Sequence, residues 1–482
     1  MAEWLGRGLQ SLVHRFDSGR RLRGVLLVND IHSQLNETAV AEVAEVDSVQ
    51  SVRAAVASAR ERGLPVSIAG GRHAMGGQQF CAGGVLLDTR GLDRVLSFDR
   101  ERGLLEVEAG AQWPALLAYL HREQAGWGIA QKQTGADRLS LGGAISANAH
   151  GRGLSMRPIV ADVEELTLVD AEGEVRRCSR AESAELFSLV CGGYGLLGVV
   201  YSATLRLVPL QKLERVVEVR RVEGLIEAFE EKIAAGFLYG DFQFAIDAAS
   251  PEFLQRGVFS CYRPVADDTP IPDGQRALAP DDWRHLLYLT HVDKARAFQL
   301  YAEHYLATSG QIYLSDAHQF SYYEDGYHSV LDERLGVTDR ATEMITELYV
   351  PRDRLLDFMA DVAADFAESG VDVIYGTVRL IERDDECFLT WARERWACVI
   401  FNLHTVHTAE GLEQAAGTFR RLIDHALERG GSYFLTYHRW ATPEQLERGH
   451  PRIREFFARK LEHDPQEVFQ SDWYRYYRDA LT

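Results

Sequence analysis

The run Val66-Ser67-Ile68-Ala69-Gly70-Gly71-Arg72-His73-Ala74-Met75-Gly76-Gly77 constrains this chain more than any other, because an apolar, strand-like segment breaks into glycines with one histidine among them. Glycine reaches positive φ without a steric penalty, and its missing Cβ lets a ligand approach the main chain. Successive backbone N–H groups in such a turn converge on an anion. The segment therefore reads either as a phosphate cradle with a tethering ring or as a tight turn with an incidental histidine. Two further glycine-rich stretches run from Gly135 to Gly153 and from Cys191 to Val200, the latter leading into an apparent strand from Tyr201 to Val208. Three such loops in the first part of the chain point to one extended ligand wrapped by several turns.

A chain of 482 residues exceeds a single core, so two domains are expected. Its 52 basic and 71 acidic residues leave a formal charge of −19, which repels nucleic acid and anionic membranes except at a local basic pocket. Backbone amides can still hold a phosphate-bearing cofactor. Met1 to Phe16 contains no uninterrupted apolar core of a secretory signal, and no segment approaches the run of about 20 apolar residues that spans a bilayer. A cytoplasmic protein without nucleic-acid or membrane partners is expected. The six cysteines, Cys81, Cys178, Cys191, Cys261, Cys387 and Cys398, lack the paired spacing of a zinc site, so reduced core thiols and no metal are expected.

Residues 25–46 read as short strands, and Val49, Val52, Val56 and Ala59 carry a helical period from an Asp47-Ser48 cap to Gly63. Strands are predicted over Pro65 to Ala69, Val85 to Asp88, Leu104 to Ala109, and Val163 to Val169 paired with Glu174 to Cys178. A helix is predicted over Gln112 to Gln124. After Pro209 the pattern changes to helices over Trp283 to Leu306 and Arg352 to Ser369. Strands alternate with them over Val216 to Val222, Met344 to Val350, Val373 to Ile381 and Ala397 to Val406, the pattern of an antiparallel sheet backed by helices.

The His73 run and the Gly142 to Gly153 motif, taken together, resemble the vanillyl-alcohol oxidase-like flavoproteins with a p-cresol methylhydroxylase-type FAD-binding domain, over roughly residues 25–210. The resemblance implies an α+β fold: a two-subdomain FAD-binding domain at 1–210, a substrate or cap domain at 211–430, and a C-terminal segment at 431–482 that returns to the FAD domain. It implies FAD contacts from Ala69, Gly70, Gly71, Arg72, His73, Ala74, Gly135, Ser140, Gly142, Gly143, Ser146, Asn148 and His150. Gly198, Val199 and Val200 are set against adenine or ribose, or are ordinary strand core. His150 equally reads as a loop histidine holding its own turn. His73 is implied as the residue bonded to the 8α-methyl carbon of FAD, against the alternative of a histidine that only hydrogen-bonds the cofactor. Ala136 stands where some relatives carry a second, cysteine tether, so a single attachment is expected.

The string Gly-Gly-Ala-Ile-Ser followed by His-Gly-Arg-Gly is similar to the alditol and aldonolactone oxidases and the decaprenylphosphoryl-ribose oxidases. That likeness implies hydride removal from an alcohol carbon of a polyol, sugar or lactone-like small molecule, with oxygen or another acceptor re-oxidising the flavin. Amine oxidation as in cytokinin dehydrogenases, double-bond reduction, or flavin binding without turnover are the alternatives. An H–C–O–H donor must also lose its hydroxyl proton, so a base within hydrogen-bond reach is required. His438 is preferred and Tyr437 is second, with packing inside an aromatic cluster as the competing role. Arg379 matches an arginine that faces the flavin in alditol oxidases, or else forms a surface salt bridge, and Thr377 stands where those relatives carry a glutamate. His318, Gln319, Tyr322 and Tyr323 are further pocket candidates, or members of a domain interface.

Overall fold

The structure is a computed structural model that describes residues 20–22, 25–123, 126–321 and 326–482. The N-terminal segment, Tyr322, Tyr323 and the predicted helix end at Gln124 lie outside the described residues. The fold is α+β. Near the start, β1 (Glu42–Glu45), β2 (Val66–Ala69) and β3 (Val85–Asp88) form a parallel sheet in the order β1-β3-β2. Helix α1 (Val49–Glu61) makes the β1-to-β2 crossover. Ser48 caps it, its hydroxyl accepting from the Ser51 amide at 3.2 Å, and Val52, Val56 and Ala59 face the core. Full burial of each valine contributes roughly 1.5–3 kcal/mol. The helix thus delivers β2, and with it the His73 loop, onto a packed base.

A five-stranded antiparallel sheet follows, built from β4 (Val95–Asp99), β5 (Leu104–Glu108), β6 (Val163–Val169), β7 (Val175–Ser179) and β8 (Val199–Arg206) in the order β7-β6-β8-β5-β4. The β6–β7 hairpin turns at Asp170, whose Oδ1 accepts from the amides of Glu172 and Glu174. Helix α2 (Trp113–Arg122) and the short helix α3 (Leu141–Ser146) bury Trp113, Leu116, Leu141 and Ile145 in the same core.

The second half centres on eight strands: β9 (Lys212–Arg221), β10 (Tyr239–Phe244), β11 (Arg256–Pro264), β12 (Ile312–Leu314), β13 (Ala341–Pro351), β14 (Val373–Ile381), β15 (Trp396–Val406) and β16 (Ser432–Tyr433). Their order is β12-β9-β11-β10-β14-β15-β13-β16, antiparallel throughout. The predicted single helix from Trp283 to Leu306 is two helices, α4 (Pro280–Val292) and α5 (Lys294–Ala307). Asp293 breaks the run because its backbone leaves the helical range and lets its side chain cap the second helix at the Arg296 amide. Helices α6 (Leu355–Ser369) and α7 (Ala409–Leu427) pack Phe366 and Phe419 with Phe401 in the core.

The strand predicted at Tyr201 to Val208 starts earlier, at Val199, and ends at Arg206; Val208–Pro209 instead pairs with Trp127–Gly128. The C-terminal segment runs beside the first glycine loop. Val66 exchanges backbone hydrogen bonds with Val468 and Gln470, the Met75 amide donates to the Thr436 carbonyl, and the Asp472 amide donates to the Phe80 carbonyl.

Candidate active site

The first glycine loop leaves β2 at Ala69. Gly70 and Gly71 keep negative φ, and the left-handed position falls on Arg72 at φ 58°. Positive φ is found later in the run, at Gly77 (φ 80°), whereas Gly70 and Gly71 supply closeness. A Cβ on Gly70 would stand 2.0 Å from Ser140 Oγ, and one on Gly71 would stand 2.5 Å from the Arg138 carbonyl and 2.9 Å from His73 Nε2. The first and second glycine stretches are thus pressed together.

Beside them lies a cavity of about 300 Å³ lined by Gly70, Gly71, Arg72, His73, Gln112 and Arg138. Arg90 also reaches it, so three guanidiniums line one pocket of an acidic protein. His73 is buried on its wall. Its Nδ1 lies 2.7 Å from His32 Nε2, while its own Nε2 is buried and makes no hydrogen bond. Burial pushes the imidazole down to about 4, so the ring is neutral at pH 7 and its unpartnered nitrogen is nucleophilic. Nothing in the sequence pattern singled out His32, which precedes His73 by 41 residues.

The second glycine stretch divides its roles. Ser140 caps α3 by accepting from the Gly143 amide at 3.3 Å, and the Gly142 amide is tied to the Ala109 carbonyl. Gly135, at φ 88°, is held by Ser321. The Ser146 carbonyl accepts from the Tyr194 amide. Asn148 faces away from the first loop, donating to Asp384 at 2.9 Å and accepting from the Val160 amide. The Ala69 carbonyl accepts from Thr89 Oγ1 and the Ala74 carbonyl from Gln79 Nε2. Gly198 lets β8 approach β6, where a Cβ would stand 2.7 Å from the Val169 carbonyl. Val199 and Val200 are strand core, the first wholly buried.

His150 is more than a loop residue. Its Nε2 lies 2.5 Å from Glu347 Oε1 on β13, joining the second glycine stretch to the eight-stranded sheet. Glu347 is the centre of a buried group: Tyr349 donates to Oε1 at 2.5 Å, and Tyr437 donates to Oε2 at 3.2 Å. Burial alone would raise this carboxyl. The His150 ring, the hydrogen bonds from His150 and Tyr349, and the charge of Arg379 outweigh it and hold the group below its usual range. Arg379 is 6% exposed and its Nε makes no hydrogen bond, so it is not a surface salt bridge.

The sheet register explains the grouping. Glu347 and Thr377 both pair with Ile400, and Tyr349 and Arg379 both pair with Cys398. Because side chains alternate along a strand, all six stand on one face. A buried carboxylate, Glu347, stands two strands away from Thr377 on the same face, on a segment 30 residues upstream. The signal that marks it in the sequence is a lone charge inside the apolar run Met344-Ile345-Thr346-Glu347-Leu348-Tyr349-Val350.

His438 lies elsewhere. Its ring packs against Phe419 at 4.4 Å and stacks on Trp440, its Nδ1 accepts from the Trp440 amide, and burial pushes it down to about 3. The chain turns after β16 and sends the two side chains to different clusters, Tyr437 to Glu347 and His438 to Phe419 and Trp440. His318 sits between Tyr239 and Tyr262 and its carbonyl accepts from Arg152 of the second glycine stretch, while Gln319 accepts from the Lys132 amide just before that stretch.

Residues 40–179 match the family model described as an FAD binding domain. Over 442 residues the chain is 27% identical to an L-gulono-1,4-lactone dehydrogenase of Mycobacterium tuberculosis, covering 91% of this chain and 94% of that protein. It is 34% identical to the L-gulonolactone oxidase of Bos taurus over 163 residues, 34% of this chain and 36% of that one. A decaprenylphosphoryl-beta-D-ribose oxidase of Mycolicibacterium smegmatis is 23% identical over 439 residues, 88% of this chain and 91% of that protein. No helix among the described residues is long and apolar enough to cross a membrane.

Proposed function

The chain carries an FAD binding domain and belongs with the FAD-linked oxidoreductases, and on that premise we propose that it oxidises an alcohol carbon of a sugar-derived lactone, sugar or polyol. The residues at the first loop fit the cofactor: guanidiniums from Arg72, Arg90 and Arg138 beside close-packed glycines suit a pyrophosphate, and His73 offers an unpartnered nitrogen at the cavity wall. Bound there, FAD supplies a two-electron acceptor for hydride. His73 Nε2 is the single attachment atom in this reading, and His32 is a positioning residue that fixes the ring through Nδ1.

The observation that carries the reading is the hydrogen bond from Tyr437 to Glu347, inside a buried group that His150 ties to the glycine-rich stretch. A substrate hydroxyl beside Tyr437 gives its proton to the phenol oxygen while the phenol proton passes to Glu347 Oε2. Glu347 keeps its negative charge beforehand because His150 and Arg379 stabilise it. Arg379, desolvated and with a free Nε, stabilises the developing alkoxide.

The test is anaerobic mixing of the yellow protein with a panel of aldonolactones, polyols, aldoses, amines and reduced nicotinamides while flavin absorbance is followed. Bleaching by lactones or polyols is expected. Bleaching by amines alone moves the reading to C–N oxidation, and bleaching by none makes the protein a flavin carrier.

A further inference from the structure

A second group of metal-ligating side chains lies toward the other end of β13, built from elements far apart in sequence. His291 on α4, His404 on β15 and Asp372, which precedes β14, each present a ligand atom, and these atoms all lie within 4.8 Å of one another. The two imidazoles meet edge to face, with ring centroids 5.1 Å apart. Glu343 on β13 is the cross-strand partner of His404, and its Oε1 stands 3.4 Å from His291 Nε2. The His291 and Glu343 side chains are only 5% and 8% exposed, yet neither of these two atoms makes a hydrogen bond. Buried polar atoms left in that state cost free energy unless a further partner completes them. Glu343 Oε2 is already engaged by the Tyr327 hydroxyl, which leaves Oε1 as the atom turned toward the histidines.

We propose that His291, His404 and Asp372, with Glu343 beside them, bind a divalent transition metal of the zinc class and fasten α4 to the eight-stranded sheet. Two imidazoles with carboxylates suit zinc, cobalt or manganese, whereas calcium and magnesium prefer all-oxygen sets. Asp372 is 42% exposed and gives the ion a way in. Lys294 holds Asp372 Oδ1 at 2.7 Å, which leaves Oδ2 for the metal and sets a competing positive charge beside it. Cysteine spacing gave no hint of such a site, since its donors come from four separate elements and none is a thiol. Glu343 precedes Glu347 by four residues on β13, so the two stand on the same face about 13 Å apart. A bound metal thus pins α4 over the face that carries the proton-handling group.

The test uses the full-length, flavin-loaded protein, stripped with a chelator and titrated with zinc chloride by calorimetry, with metal content measured after desalting. A single zinc ion per chain is expected, together with a rise in thermal midpoint. His291→Ala/His404→Ala is expected to bind at least about tenfold more weakly and to lose the thermal gain. Lys294→Met, which removes the ammonium from Asp372, is expected to bind more tightly. No stoichiometric zinc on the native protein overturns the proposal, as does zinc that is unaffected by the histidine changes and follows Cys398→Ser instead. If the double variant fails to fold, His404→Gln and Lys294→Met decide: unchanged affinity in both overturns it.

Discussion

His73 and His438 are both buried imidazoles that burial pushes down, the first to about 4 and the second to about 3. Their surroundings nevertheless differ in kind. His438 is packed against Phe419 and Trp440, and its Nδ1 is satisfied by the Trp440 amide. His73 has one nitrogen fixed by His32 and the other unpartnered on the wall of a cavity lined by glycines and guanidiniums. A depressed pKa therefore marks burial in both regions and chemistry in neither. What separates them is the setting: His73 stands on the wall of a cavity lined by glycines and guanidiniums, and His438 stands inside an aromatic cluster.

The largest effect that tests this contrast is all or none. Mass spectrometry of denatured native protein is expected to find an FAD-sized increment on the peptide containing His73. His73→Ala is expected to lose it completely, and His438→Leu to keep it in full. A native His73 peptide without the increment, or loss of the increment in the His438 variant, would break the contrast between the two histidines.

A graded effect tests the sheet face. Glu347→Gln and Tyr437→Phe are expected to slow anaerobic flavin reduction by about 10²–10⁴, the usual contribution of positioned acid–base groups. His438→Phe is expected to leave that rate unchanged. The proton route through Tyr437 and Glu347 fails if Tyr437→Phe reduces its flavin as fast as the native protein while His438→Phe does not.

The same contrast shows what could be read from residues alone. The glycine loops were legible because glycine content, β-strand propensity and a histidine sit within one short window, and main-chain shape depends on local sequence. Helix α1 was legible for a similar reason, since its period and its Ser48 cap are local; the parallel pairing of the strands around it was not. The group around Glu347 was not. Glu347, Arg379, His150 and Tyr437 come from four segments, and only the register that sets Glu347 and Thr377 on either side of Ile400 shows on which face the carboxylate stands. The placement of His438 was hidden for the opposite reason: its motif was local, but a turn after β16 decides which of two adjacent side chains faces the sheet. The break at Asp293 belongs with it, because a capping aspartate inside a helical period is visible only once the backbone direction changes.

The smallest expected effect concerns the buried imidazoles that carry no flavin. An unfolded imidazole titrates near 6.5, whereas burial pushes His438 and His450 down to about 3 in the folded chain. Below pH 6.5 the unfolded chain binds protons that the folded chain refuses, so stability falls as pH falls, down to the folded values. Between about pH 7 and pH 5 each such ring costs on the order of 2 kcal/mol, at about 1.36 kcal/mol per pKa unit. His438→Leu removes one of these terms without touching the cavity at His73. Its thermal midpoint is therefore expected to fall less between those two pH values than that of the native protein, while its flavin content stays the same. An equal fall in both proteins would mean that the His438 ring is reached by protons in the folded state, and its packing against Phe419 and Trp440 would then be looser than the geometry describes.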